Sequence, residues 1–230
     1  MEHRSVSRSP FLLCVAVGLV LTSCGVAQSQ AAQVPTDQLA EFKVGDLVVR
    51  VPPRSKGPGS TPTGLNLLFN EGEAKDFLDA PLGVSSDVLR LTKRKNCTDF
   101  AKQFAMRLQP SGSDFLVSRL HTLKKAQAQH RQTPGVKQVP GLQYLGRRTY
   151  DGVYYSPSDY FVIDSPAGPS LQMECGLLQS EAQGGCMVYR DINRNAYIRY
   201  QFCEDLLPHW RELDELYVEL ARKALSLPPS

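Results

Sequence analysis

Cys97, Cys175, Cys186 and Cys203 are the residues whose type best suits chemistry, since thiols pair with one another, bind metal or act as nucleophiles. An even set in an oxidising compartment forms two disulfides, and three connectivities are open. Cys175 ends one strand-like run and Cys186 begins the next, around the Gly-rich stretch 176–185. That arrangement favours their pairing and leaves Cys97 for Cys203. Zinc is the other chemistry of four thiols, but no C-x-x-C pair is present to hold it.

Catalytic signatures are not legible. The chain contains no G-x-S-x-G, H-E-x-x-H, Walker loop or G-x-G-x-x-G, so no catalytic residue, cofactor or metal is expected from motifs. His121 and His130 lie in a basic, polar segment, and His209 sits beside Trp210 at the head of the last helix; all three read as surface or cap residues. Glu71 and Glu73 read as loop carboxylates, while Glu212, Asp214, Glu215 and Glu219 read as the polar side of a helix, with Glu215–Arg222 or Glu219–Lys223 pairs. Glycosidase carboxylates are far apart in sequence, so an enzyme acting on cell-wall or lipid substrates stays open as a third functional class.

Tyr144, Tyr150, Tyr154, Tyr155 and Tyr160 cluster in the sequence, interleaved with Arg147, Arg148, Asp151 and Asp159. Tyrosine and arginine are enriched at protein interfaces, which makes this cluster a candidate contact surface. Alternate tyrosines also simply fill one face of a sheet, and both readings stand.

The chain opens with Arg4 and Arg8, followed by the uncharged run Phe11–Leu21. This is a secretory signal, because its apolar core falls well short of the roughly 20 residues a spanning helix needs. It ends in Leu21-Thr22-Ser23-Cys24, which resembles the lipobox of bacterial lipoproteins. The resemblance implies lipidation of Cys24, cleavage before it and acylation of the freed amine. Two or three acyl chains would make release negligible. Gly25-Val26 lacks the aspartate that commonly retains such lipoproteins at the inner membrane, so the family implies a periplasm-facing position at the outer membrane. Cleavage after Ala31, giving simple secretion to the periplasm, is the alternative.

The expected organisation is a signal peptide over 1–23, a lipidated tether over 24–40 and one globular domain over 41–230. The chain carries 26 basic and 23 acidic residues, a net charge of +3. That near balance, kept once 1–23 are removed, argues against nucleic acid as partner.

The elements that must position these residues read as an α+β domain. Phe42–Val51 is a β-branched run stopped by Pro52-Pro53, and Arg54–Thr63 reads as a mobile loop. Gly64–Phe69 and Asp87–Thr92 read as strands. Cys97, Phe100, Ala101, Phe104, Ala105 and Leu108 fall on one helical face, predicting an amphipathic helix over Asn96–Leu108. Asp114–Gln132 reads as a second helix, although its first half also fits a strand. From Gly141 to Phe202, short Tyr-, Val- and Ile-rich runs alternate with turn residues, predicting an antiparallel meander. Glu204–Leu225 then carries the broad apolar stripe of a long amphipathic helix that packs on the sheet.

The paired cysteines, the tether and the closing strand and helix, Tyr197–Cys203 to Trp210-Arg-Glu-Leu213, give a layout that resembles periplasmic immunity lipoproteins. These accompany toxins of contact-dependent secretion systems. The resemblance implies a protein partner, neutralised by occlusion. A lipoprotein of envelope assembly or maintenance is the second expectation.

Overall fold

Alternation of apolar and polar side chains builds most of the fold, and the computed structural model describes it over residues 38–92, 104–111, 115–121, 138–148, 158–165, 168–177 and 184–228. All of these belong to one compact unit, Ala31–Ser230. β1 (Ala40–Val44) and β2 (Leu47–Val51) form a separate hairpin. The sequence presents them as one run, but Gly45 at φ 58° turns the chain back so that Val44 faces Leu47. Val44, Val49 and Val51 point into the core, and Glu41 pairs with Arg50 outside.

The segment read as a mobile loop is instead tied down. Residues 53–55 form a 3-10 turn, Lys56 bridges Leu67, and Thr61 bridges Gly64. It leads into β3 (Leu65–Phe69) and then α1 (Glu71–Leu78). Glu71 and Glu73 are therefore helical, not loop residues. Asn70 Oδ1 accepts from the Glu73 N–H at 2.9 Å and Glu73 Oε2 accepts from the Asn70 N–H at 3.1 Å, a reciprocal cap. Asp79, left-handed at φ 57°, ends the helix.

Two further expectations are corrected. Ser86–Thr92 is a helix, α2, rather than a strand; the Ser85 hydroxyl accepts from the Val88 N–H at 3.4 Å and Asp87 pairs with Arg90 one turn on. Phe104–Pro110 is strand β4, not the end of a helix. Phe104, Met106 and Leu108 are buried, a period of two hidden within a set that also fits a period of 3.6. Pairing with β3 on one side and β9 on the other decides the outcome. The remainder of that expected helix lies outside the described residues. Residues 115–121 are helical, α3, as expected for the described part of the second helix.

The expected meander follows: β5 (Gln143–Arg148), β6 (Ser158–Ser165), β7 (Gly168–Leu177), β8 (Gly184–Asn193) and β9 (Ala196–Cys203). With β3 and β4 they make one seven-stranded antiparallel sheet in the order β3-β4-β9-β8-β7-β6-β5. The chain is α+β, as its sequence pattern predicts. It closes with a 3-10 turn, Glu204–His209, and α4 (Trp210–Ala224).

The two faces of the sheet are unlike. On the first, Leu67, Leu108, Met173, Val188, Ile198 and Tyr200 pack beneath α4, whose Leu213, Leu216 and Leu220 are buried. Each such leucine contributes about 1.5–3 kcal/mol by leaving water. On the second, Leu120 of α3 packs with Leu145, Tyr160 and Val162, and Phe115 of the same helix stacks on Tyr197. The remainder of that face is mixed, with Tyr197 and Gln172 buried, Met187 half-buried and Arg199 exposed.

Candidate functional site

Cys175 and Cys186 stand directly opposite each other on β7 and β8, with Cα atoms 4.1 Å apart, and are joined in a buried disulfide. The favoured pairing is thus present, clamping the two strands within the core under α4. Cys203 is also disulfide-bonded, and its partner lies outside the described residues. Cys97 and Cys24 lie outside them as well. No group of metal-ligating side chains occurs among the described residues.

The expected tyrosine surface divides between the faces. Tyr144 lies on the first, its ring 5.4 Å from that of Phe161 and its hydroxyl donating to Asp159 Oδ1 at 3.0 Å. Burial, followed by the adjacent Asp159 carboxylate, pushes its pKa up to about 12. Arg147 grips the same carboxylate with Nε at 2.9 Å and Nη2 at 2.8 Å, a two-pronged charge-assisted contact. Tyr160 lies on the second face, is buried, and donates to Glu174 Oε1 at 2.8 Å. It fills the sheet under α3. Tyr150, Tyr154 and Tyr155 lie outside the described residues.

Sequence reasoning missed the more distinctive surface. Strand registers align Asn66, Arg107, Arg199, Tyr189, Gln172, Val162 and Gln143 in one row across all seven strands of the second face. Arg107 reaches toward β3, donating to Gly59 O at 3.2 Å, Asn66 Oδ1 at 3.0 Å and Thr61 Oγ1 at 3.1 Å. Gly64 makes this possible, because a Cβ there would stand 2.6 Å from the guanidinium nitrogens. Arg199 is exposed. Tyr189 carries the guanidinium of Arg119 over its ring at 4.1 Å, and Arg119 Nη2 pairs with Glu174 at 3.1 Å. Phe115 stacks on Tyr197 with ring centres 4.5 Å apart. Burial and the neighbouring Tyr189 push the Tyr197 hydroxyl up, against the opposing pull of Arg199, Arg107 and Arg119.

No family model, characterised protein or solved structure matches the chain. The reading of this surface therefore rests on its chemistry alone. The available signal was the alternation of Tyr197, Arg199 and Gln201 with the buried Ile198, Tyr200 and Phe202, which marks a strand with one apolar and one polar face. Which of those polar residues meet across strands depends on register.

A second polar cluster lies beneath α4. Tyr200 donates to Asp214 Oδ1 at 2.8 Å, and Arg190 Nε lies 3.1 Å from Asp214 Oδ2, near enough to pair in charge but off the hydrogen-bond axis. Arg190 Nη1 also donates to Ser170 O at 3.0 Å. Burial raises the Asp214 carboxyl above the ordinary aspartate range, with Arg190 and Tyr200 pulling the other way. The trio is closed over by α4 and joins helix to sheet. His209 and Glu212 form a third pair at 3.0 Å, and Glu212 also accepts from the Ser85 N–H at 2.7 Å. The Ser85 backbone contact holds the Glu212 carboxyl below its usual range.

Proposed function

We propose that this protein is an envelope-anchored lipoprotein, fixed through Cys24, whose body binds another protein. The observation that carries the binding reading is the row of arginine and tyrosine side chains on the second sheet face, presented from strands rather than loops. Rigid presentation lowers the ordering cost of association, and the residue types are those enriched at interface centres. The basic start, short apolar core and Leu21–Cys24 sequence support the anchor and a periplasm-facing address.

In its narrower form the proposal is a toxin-neutralising immunity protein that occludes an incoming effector. Genomic adjacency to an effector gene would support that form, whereas envelope weakness on deletion without any attacking cell would support a maintenance role. The test is co-purification through a C-terminal tag with and without reductant, alongside Cys24→Ser. A stoichiometric partner is expected, and the serine variant is expected to leave the membrane fraction. Failure to capture a partner under either condition would refute the binding reading, and unchanged fractionation of the serine variant would refute the anchor.

A further inference from the structure

Arg107 and Arg199 stand directly opposite each other on β4 and β9. Like charges facing across a ladder repel, so stability alone favours a neutral or acidic residue in one of these positions. Neither guanidinium has a carboxylate partner among the described residues. Arg107 donates only to the neutral oxygens of Gly59, Thr61 and Asn66, which hold its side chain and leave its charge uncancelled. Arg199 is exposed, and its side chain makes no hydrogen bond or ion pair among the described residues. Arg119, the third arginine near Tyr197, differs in being paired with Glu174. Two uncompensated cations are thus fixed on a sheet beside Tyr189, which continues the same row.

We propose that Arg199, backed by Arg107, is the docking point for an acidic segment of a partner polypeptide. An Asp or Glu carboxylate of the partner takes the Arg199 fork in a bidentate contact, and the partner chain lies along Tyr189. The proposal rests on the protein-binding reading above and gives it a place and a charge. Polypeptide fits better than lipid here. The planar fork of arginine matches a carboxylate, whereas attraction to an anionic bilayer grows with the number of basic residues at the surface, and only two uncompensated charges stand in this row.

The test uses the full-length chain as expressed, kept in detergent, with fluorescent poly-L-glutamate as probe. Arg199→Glu is compared with Arg194→Glu, an equal charge change at an exposed turn position. Wild type and R194E are expected to bind within about twofold of each other, and R199E about tenfold or more weakly. R199E converts a repelling pair into an attracting one, so its Tm is expected to equal or exceed that of wild type, which separates lost binding from lost folding. Equal probe binding by R199E and wild type overturns the proposal. So does an R199E defect confined to vesicles containing phosphatidylglycerol, which would assign the charges to a membrane. R199E is also carried through the tagged co-purification. If wild type and R199E capture the same partner equally, the docking point is wrong and protein binding stands; if wild type captures none, the binding reading itself fails and the docking point with it.

Discussion

Tyr200 and Asp214 meet across the seam between β9 and α4, with the tyrosine hydroxyl donating to the carboxylate at 2.8 Å. The ring of Tyr200 stacks at 4.1 Å on Tyr217, one helical turn from Asp214, so the helix is fixed in both rotation and height on the sheet. Arg190 supplies the charge that makes a buried carboxylate tolerable. Removing one partner of such a pair costs more than the pair contributes, because a charge is left stranded.

Asp214→Ala is therefore expected to destabilise the fold by about 3–5 kcal/mol, chiefly through the orphaned Arg190. Tyr200→Phe, which removes one hydrogen bond to a charged group and keeps the ring stack, is expected to cost about 1.5–3 kcal/mol. Denaturant midpoints measured with unchanged m-values check both.

The acid limb of stability should depend on Glu212. Its folded pKa is held down by the Ser85 N–H. A lowered carboxyl stabilises the fold above its unfolded value, about 4.3 for glutamate, and that contribution is lost as pH falls through the lower, folded value. Glu212→Gln is expected to flatten the loss of stability over that window and leave its shape near neutral pH unchanged. Asp214 works in the opposite sense. Its raised folded pKa means that acid relieves a cost, so it does not drive acid unfolding. Chemical denaturation at a series of pH values separates the two contributions.

Gly64→Ala places a methyl group 2.6 Å from the Arg107 nitrogens, and the flexible side chain must swing away. Its three contacts to residues 59, 61 and 66 then break. Faster tryptic cleavage at Arg54 and Lys56 is expected, with a stability loss of about 0.5–3 kcal/mol. Cleavage at the wild-type rate would show that Arg107 does not hold this segment.

The Cys175–Cys186 disulfide closes a loop with a sequence separation of 11. In the chain-entropy model a loop of about this size contributes nearly 3 kcal/mol. Cys175→Ala with Cys186→Ala is expected to lose about that amount, plus the smaller effect of two shortened core side chains, and to retain far-UV circular dichroism. Collapse of the β signal would mean the bond is needed to form the sheet rather than to stabilise it.

The sequence by itself determined the meander from Gln143 to Cys203, the closing amphipathic helix and the Cys175–Cys186 pair, since each follows from local pattern. Turn residues separate the strands, a leucine stripe recurs at helical spacing, and two cysteines flank one turn-rich stretch. Tertiary structure decided the rest. Phe104–Leu108 satisfies either period and became a strand because β3 and β9 lie on either side of it. Asp87–Thr92 alternates like a strand and became a helix, with the Ser85 hydroxyl capping its first turn and Val88 reaching the core. Arg107 and Arg199 are separated by more than ninety positions in the chain, and no local rule brings them together. Strand register does, since a one-residue shift of either strand would turn its arginine to the opposite face, and register is set by the apolar face that α4 buries.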